Sequence, residues 1–228
     1  FKSGPDYIDS KFQSVAAERP SYNLDTWAMS SRDILNMITM VDASDICIAE
    51  GSMGLFDGVI SKGVSGNGST ADLASITNWP VILVVDCAKQ AQSVAALIKG
   101  FSSFRNDIII GGVILNNISS KRHETLIVDE VSKSKVPILG IIPRSKELTI
   151  PERHLGLVQA EDLSNLQQVI SSLGILIEEN CDLQAIAGIA RNSFPSNSNL
   201  PKMNPPAQRI AIARDNAFTF TYSHLIEG

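Results

Sequence analysis

The chain has 228 residues, a formal net charge of -5, 44% hydrophobic and 19% charged residues. That composition excludes disorder for the bulk of the chain and is enough for a large buried core. A pI near 5.2 speaks against nucleic acid as a partner, and no apolar run is long enough for a membrane-spanning helix.

The chain opens on FKSGPDYID, without methionine or signal peptide, so it reads as a segment cut from a longer protein. DICIA at 45–49 predicts a short strand, ending in Glu50-Gly51. Residues 70–78 predict a helix capped by Ser69, with Asp72 in its first turn. PVILVV at 80–85 is the continuous apolar run of a strand covered on both faces. Val94, Leu97, Ile98 and Phe101 have helical spacing within 91–104. A strand follows at 107–116. Leu126, Ile127 and Val131 mark a helix at 121–134, and PILGII at 137–142 marks another strand. Two more helices are expected at 161–173 and 175–190. Strand–helix alternation predicts an α/β fold, a mostly parallel sheet with helices on both faces.

Residues 192–206 hold four of the ten prolines among Asn and Ser, the composition of an interdomain linker. RIAIA at 209–213 then predicts a strand of a second core. The expected division is residues 1–191, a linker at 192–206 and the start of another domain at 207–228. Cys47, Cys87 and Cys181 form no CxxC or Cys/His cluster; they read as small buried hydrophobes in a reducing compartment, here the cytoplasm.

Ligands of open parallel sheets bind at the carboxyl ends of strands. Here those ends carry Glu50-Gly51, Asp86, Asn116-Asn117 and Pro143-Arg144, polar groups expected to converge on one edge. In EGSMGLFDG, an acid followed by a glycine-rich loop suits a magnesium nucleotide, though a tight turn with solvated acids has the same composition. In GPDYID, Asp6 and Asp9 with Glu50 suit a divalent cation, while an N-cap aspartate would read the same. His123 follows Lys121 and Arg122 at a helix start, where a solvated turn and a functional role are both open. His154 lies in PERHLGLV with no derivable task, and His224 is expected at the surface.

FKSGPDYID, NLDTWAM, EGSMGLFDG, GSTADLA, GVILNNISSKRH and PERHLGLV occur in that order along the chain. Together they resemble the synthetase domain of the cobyrinic and hydrogenobyrinic acid a,c-diamide synthases. The resemblance implies a dethiobiotin-synthetase-like P-loop NTPase fold followed by a class I glutaminase, whose opening RIAIARDNAFTFTY resembles. It implies a C–N ligase of cobalamin biosynthesis using ATP and Mg²⁺, with a corrinoid substrate and glutamine-derived ammonia as partners; a homodimer is allowed.

Residue by residue, the resemblance puts Lys2 against the transferred phosphate and Asp6 and Glu50 around magnesium. It puts Tyr7, Ile8 and Asp9 in the loop beside the reacting carboxylate. Asn116 would read adenine, for which its paired donor and acceptor suit it. Ser69 and Thr70 open a helix near the substrate. With them go Gly51 and Pro143 beside the nucleotide and Asp57 beside the substrate.

Three departures stand out. No GxxxxGK[ST] occurs in these residues, and in this family that loop is expected ahead of residue 1. Asp9 is followed by Ser10 where proline is usual, and Gln13 stands where histidine is usual. The second class of function compatible with the fold is a P-loop ATPase-like regulatory module without amidation.

Overall fold

The computed structural model describes residues 1–39, 41, 45–145, 152–153, 156–157, 159–191, 204–215 and 217–227. In chain order the elements are β1 (Lys2–Ser3), α1 (Ile8–Ala17), β2 (Asn23–Leu24), α2 (Ser31–Thr39), α3 (Thr70–Thr77), β3 (Val81–Asp86), α4 (Val94–Phe104) and β4 (Ile110–Ile118). They continue with α5 (Lys121–Ser132), β5 (Ile138–Pro143), β6 (Glu152–Arg153), β7 (Gly156–Leu157), α6 (Leu166–Asn180), α7 (Leu183–Gly188) and α8 (Ser223–Glu227). The described residues divide into two units. One draws on 1–77, 151–167 and 194–228, the other on 78–150 and 168–193.

The second unit holds a parallel sheet of order β3-β4-β5. VILVVD and IGGVILNNI are rich in β-branched residues, which pack well on a pleated surface. Val113 and Leu115 are fully buried, and Leu83 and Val85, their register partners, nearly so. The crossover helices α4 and α5 pack on each other and on β4. Val94 and Ile98, and Ile127 and Val131, lie one turn apart and are completely buried. Leu97 and Leu126, expected in the same stripes, sit at the rim and are about two-fifths exposed (40% and 37%). The other face meets the α6–α7 connection, where Cys181 bridges to Gly140. A Cβ at Gly140 would collide with the Cys181 side chain, so only glycine lets the connection sit this close. Val84, on this face, stays 64% exposed.

The first unit is built on a short parallel ladder. β1 pairs with β2, Lys2 opposite Asn23, and on its other side Lys2 bridges to Glu50. The Phe1 amino group donates to the Ile48 carbonyl (2.8 Å), Glu50 N–H to Phe1 O (3.0 Å) and Ser3 N–H to Glu50 O (2.7 Å). No strand forms at the expected 45–49: only the Ile48 carbonyl and Glu50 join β1 in these bonds, and only Glu50 makes a bridge. Ile46 and Ile48 are exposed, because their only neighbour in the ladder among the described residues is the two-residue β1.

Four other expectations change. The helix of 91–104 starts at Val94, because Gln92 and Ser93 first form turns. The helices of 161–173 and 175–190 are redistributed into α6 and α7, broken at Cys181 and Asp182 and not at Gly174. Asp182 accepts from the Ala185 amide (2.9 Å) and restarts the chain as an N-cap. RIAIA at 209–213 is no strand: it is irregular, and Ile210 and Ile212 are more than half exposed. The residues of this segment alternate correctly, but no described strand lies beside them to complete a ladder. His224 is half-buried and stacks on Tyr222. PERHLGLV contributes the antiparallel pair β6–β7; His154 lies outside the described residues, as does most of the 192–206 segment. No helix among the described residues is long and apolar enough to cross a membrane.

The paired burial of α5 predicts a direct contrast. Ile127→Ala should cost about 2–5 kcal/mol, as expected for a cavity in a closed core. Val84→Ala should stay within about 0.5 kcal/mol. Urea unfolding of both variants checks it.

Candidate active site

Lys2 is a charged residue with almost no solvent exposure (1%). Its ammonium ion-pairs with Asp9, and with Asp6 Oδ2 and Glu50 Oε1 at 3.6 Å each. It also donates to the Gly51 carbonyl at 3.0 Å. Burial pulls the Lys2 pKa down. The hydrogen bond to Asp9 and the charges of Glu50, Asp9 and Asp6 outweigh that pull, so it lies above the ordinary lysine value. The lysine is held charged.

The loop that brings Asp6 and Asp9 here is set by its backbone. Gly4 has φ +77°, and a Cβ there would press on Ser52 Oγ at 3.2 Å. Asp6 Oδ1 accepts from the amides of Ile8 (2.9 Å) and Asp9 (3.1 Å), so Asp6 caps α1 while Oδ2 faces Lys2. The N-cap reading of GPDYID is met by one oxygen of Asp6, and its other oxygen pairs with Lys2. Asn23, buried on β2, donates to the carbonyls of Gly4 (2.9 Å) and Asp6 (2.7 Å). Ser10 Oγ donates to Asp6 O (2.8 Å) and to Asn23 Oδ1 (3.2 Å).

Gln13 also joins the site. Its amide nitrogen donates to Glu50 Oε2, and its oxygen accepts from Ser21 Oγ (2.6 Å). Gln13 follows Asp9 by four residues on α1, one turn along the same face, and that spacing is the sequence signal that could have found it. Asn23 carried no comparable signal, since it lies nineteen residues from the Gly4 carbonyl it holds.

Gly51, Ser69 and Thr70 come together. A Cβ on Gly51 would sit 2.7 Å from Thr70 Oγ1, so glycine is required for this approach. Ser69 is buried, and its Oγ accepts from Asp72 N–H at 3.2 Å, the expected cap of α3. Asp57 is exposed and closes its own turn by accepting from Gly54 N–H (3.0 Å). Tyr7 and Ile8 occupy the turn between Asp6 and Asp9, half-buried.

Asn116 and Pro143 belong to the other unit, at the carboxyl ends of β4 and β5 in one sheet. Asn117 takes φ +61°, and the pairing with β5 shifts register between Leu115 and Ile118. Such an irregularity re-aims side chains at a strand end. Asn116 Oδ1 accepts from Asn117 N–H (2.9 Å), and Asn117 Nδ2 donates to Asp86 Oδ1 (2.9 Å). The Ala88 amide, then Asn117, hold the Asp86 carboxyl below its usual range. His123 is no loose surface turn. Its ring lies 2.7 Å from the Gln90 carbonyl and accepts from Ser119 N–H at 3.1 Å, so the β3 and β4 loops share a pin.

Asp6 and Glu50 offer hard oxygen donors to one ammonium, the donor type Mg²⁺ takes. No cluster of three or more His, Cys, Asp or Glu among the described residues could hold a metal ion. An ion held by only one or two carboxylates takes its remaining oxygens from phosphate and water.

A family model described as AAA domain matches residues 11–152. Over its whole length the chain is 43% identical to the hydrogenobyrinate a,c-diamide synthase of Brucella anthropi, 42% to that of Rhodobacter capsulatus and 44% to that of a Sinorhizobium species. It spans 52% of the length of each of these relatives. No solved structure matches it.

The charge state of Lys2 gives a pH test. A raised folded pKa adds stability that is fully present below the unfolded lysine value, about 10.4, and is lost as pH rises through the folded one. Urea midpoints of the wild type should therefore fall above about pH 10 by more than those of Lys2→Met. At neutral pH that variant should lose about 1–2 kcal/mol, less than for a closed ion pair, because its carboxylates keep contact with water.

The parallel α/β sheet with its polar carboxyl edge and the match over 11–152 agree with each other: the chain belongs to the AAA domain family of P-loop NTPase-like proteins.

Proposed function

We propose that this chain is the synthetase part of an enzyme that amidates the a and c carboxylates of hydrogenobyrinic or cobyrinic acid in cobalamin biosynthesis. In this reading ATP and glutamine are cosubstrates and the location is cytoplasmic. The observation that carries the reading is the buried Lys2 ammonium paired with the Asp6, Asp9 and Glu50 carboxylates. The likeness to the hydrogenobyrinate a,c-diamide synthases supplies the substrate. Residues 1–191 form the synthetase domain, 192–206 the linker, and 207–228 the opening of a glutaminase-like domain.

A carboxylate does not react with ammonia, because its leaving group is poor. A carboxylate oxygen of the acid therefore attacks the γ-phosphorus of ATP, and ADP leaves. Ammonia, released when glutamine is hydrolysed to glutamate, adds to the acyl phosphate carbonyl. Phosphate departs, a proton is lost from nitrogen and the amide remains.

Lys2 lies ready to neutralise charge building on the transferred phosphoryl oxygens, and pre-placement gives such a cation its catalytic value. Asp6 and Glu50 would hold Mg²⁺, which supplies charge neutralisation and alignment of the phosphates when bound. Gln13 keeps the Glu50 carboxylate oriented, and Asn23 keeps the Asp6 turn in place. Asn116 would read the adenine edge, with Gly51 and Pro143 beside the nucleotide. Tyr7, Ile8, Asp57, Ser69 and Thr70 would face the acid. Asp9, the partner that hydrogen-bonds Lys2, orients the ammonium.

Glu50→Gln in the full-length protein tests the assignment. ATP-dependent amidation of hydrogenobyrinic acid should fall at least about 100-fold, as for loss of a group that stabilises transition-state charge. Glutamine hydrolysis should persist. Amidation close to the wild-type rate would refute the role of Glu50, and a wild type that leaves the acid unchanged would refute the substrate.

A further inference from the structure

The chain after Asn204 returns to the loop that carries Asp6 and Asp9. Residues 204–215 are exposed, and Asp215 Oδ1 then accepts from the amides of Ala217 (2.8 Å) and Phe218 (3.1 Å), turning the backbone. The Tyr7 ring stacks on Phe220 with centroids 5.2 Å apart and planes at 9°. It also stacks on Tyr222 at 4.4 Å and 23°. These are the offset separations at which aromatic pairs attract beyond simple burial. Thr219 Oγ1 donates to Gln159 Oε1 (2.8 Å) and anchors the chain just ahead of the two rings. The crevice left among Tyr7, Ile8, Lys11, Gln159, Thr219 and Phe220 is about 10 Å³. That is room for one water at most, so the surfaces are closed on each other. Burial, and then the Tyr7 phenol, raise the Tyr222 hydroxyl far above the ordinary tyrosine value, so it stays neutral at any working pH.

Tyr7 lies between two of the three acids that face Lys2, and the amides of Ile8 and Asp9 are bound to Asp6 Oδ1. A ring clamped by two others cannot leave its rotamer without breaking both stacks. We propose that Phe220 and Tyr222 are positioning residues: they clamp Tyr7 and so hold the Asp6–Asp9 turn in the conformation that receives the acceptor carboxylate. This rests on the amidation reading above. In that reading the two residues belong to the opening of the glutaminase-like part, so the stack is a physical link between the ammonia source and the carboxylate acceptor.

The test uses full-length protein and two assays: amidation of hydrogenobyrinic acid with ammonium chloride in place of glutamine, and glutamine hydrolysis alone. In Phe220→Ala and Tyr222→Ala the KM for the acid in the ammonia assay should rise about three- to tenfold, the worth of one aromatic stack. Glutamine hydrolysis should be unchanged, and Tyr222→Phe, which keeps the ring, should stay within about twofold of wild type. An unchanged KM alongside weakened glutamine hydrolysis would overturn the proposal, because the rings would then serve the second domain only. If an alanine variant fails to fold, Phe220→Leu and Tyr222→Phe replace it. The leucine variant should raise KM and the phenylalanine variant should not; equal values overturn the proposal. If the wild type does not amidate the acid at all, the substrate reading fails and the clamp is read by hydrogen exchange. The Ile8 and Asp9 amides should then exchange about three- to tenfold faster in the alanine variants, or in Phe220→Leu if those do not fold. Unchanged exchange overturns the clamp.

Discussion

A lysine ammonium withdrawn from water must be neutralised where it lies, or it loses its proton. Lys2 meets that constraint with an ion-pair hydrogen bond to Asp9, two carboxylates at 3.6 Å and the Gly51 carbonyl. The surrounding structure serves that arrangement. β1 is two residues long, yet it is paired on both sides, because Asn23 on β2 and Glu50 on the other flank must stay in register with Lys2. Gly4 turns the backbone through a conformation that side chains rarely adopt, and the turn delivers Asp6 and Asp9 within reach. Gly51 gives way to Thr70, so the start of α3 can lie against the end of the Glu50 edge.

Charge and local structure share atoms here. Asp6 uses one oxygen to cap α1 and the other to face Lys2. A helix that begins at the site thus has its first turn held by a residue of the site. Gln13 sits one turn further along α1 and orients Glu50. A charge-bearing group that also satisfies backbone donors is pre-positioned without further ordering cost at the moment of reaction, and electrostatic stabilisation depends on that condition.

The second unit solves a different problem. Three parallel strands with Leu and Val on the buried face need only two amphipathic crossover helices, and α4 and α5 supply them. Its informative detail is at the strand ends, where the left-handed Asn117 lies within the register shift against β5 and a polar network joins Asp86, Asn116 and Asn117. His123 and Gln90 tie the loops beyond. Regular β structure could not present these groups together, because alternate residues face opposite sides of a sheet.

The order of strands and helices in the β3–β5 sheet was legible from apolar runs and from spacing, because burial on one face imposes a period that local sequence records. The Ser69 cap and the Asp6–Asp9 and Glu50-Gly51 pairs were also legible, since each is a pattern of near neighbours. Other features were not. The bond from Asn23 to the GPDYID carbonyls, the hold of Gln13 on Glu50 and the stacking of Phe220 and Tyr222 on Tyr7 join residues far apart along the chain. So does the collision that reserves Gly140 for glycine, while the helix break at Asp182 and not Gly174 depends on the bridge between Cys181 and Gly140. RIAIA shows the converse: its alternation is that of a strand, but a strand needs a neighbour, and alternation alone cannot supply one. By itself the sequence determined which segments could bury a face and which residues carried charge. Tertiary structure decided which charges share one buried ammonium and which rings close over the loop beside it, because those energies depend on distances in space that no local pattern encodes.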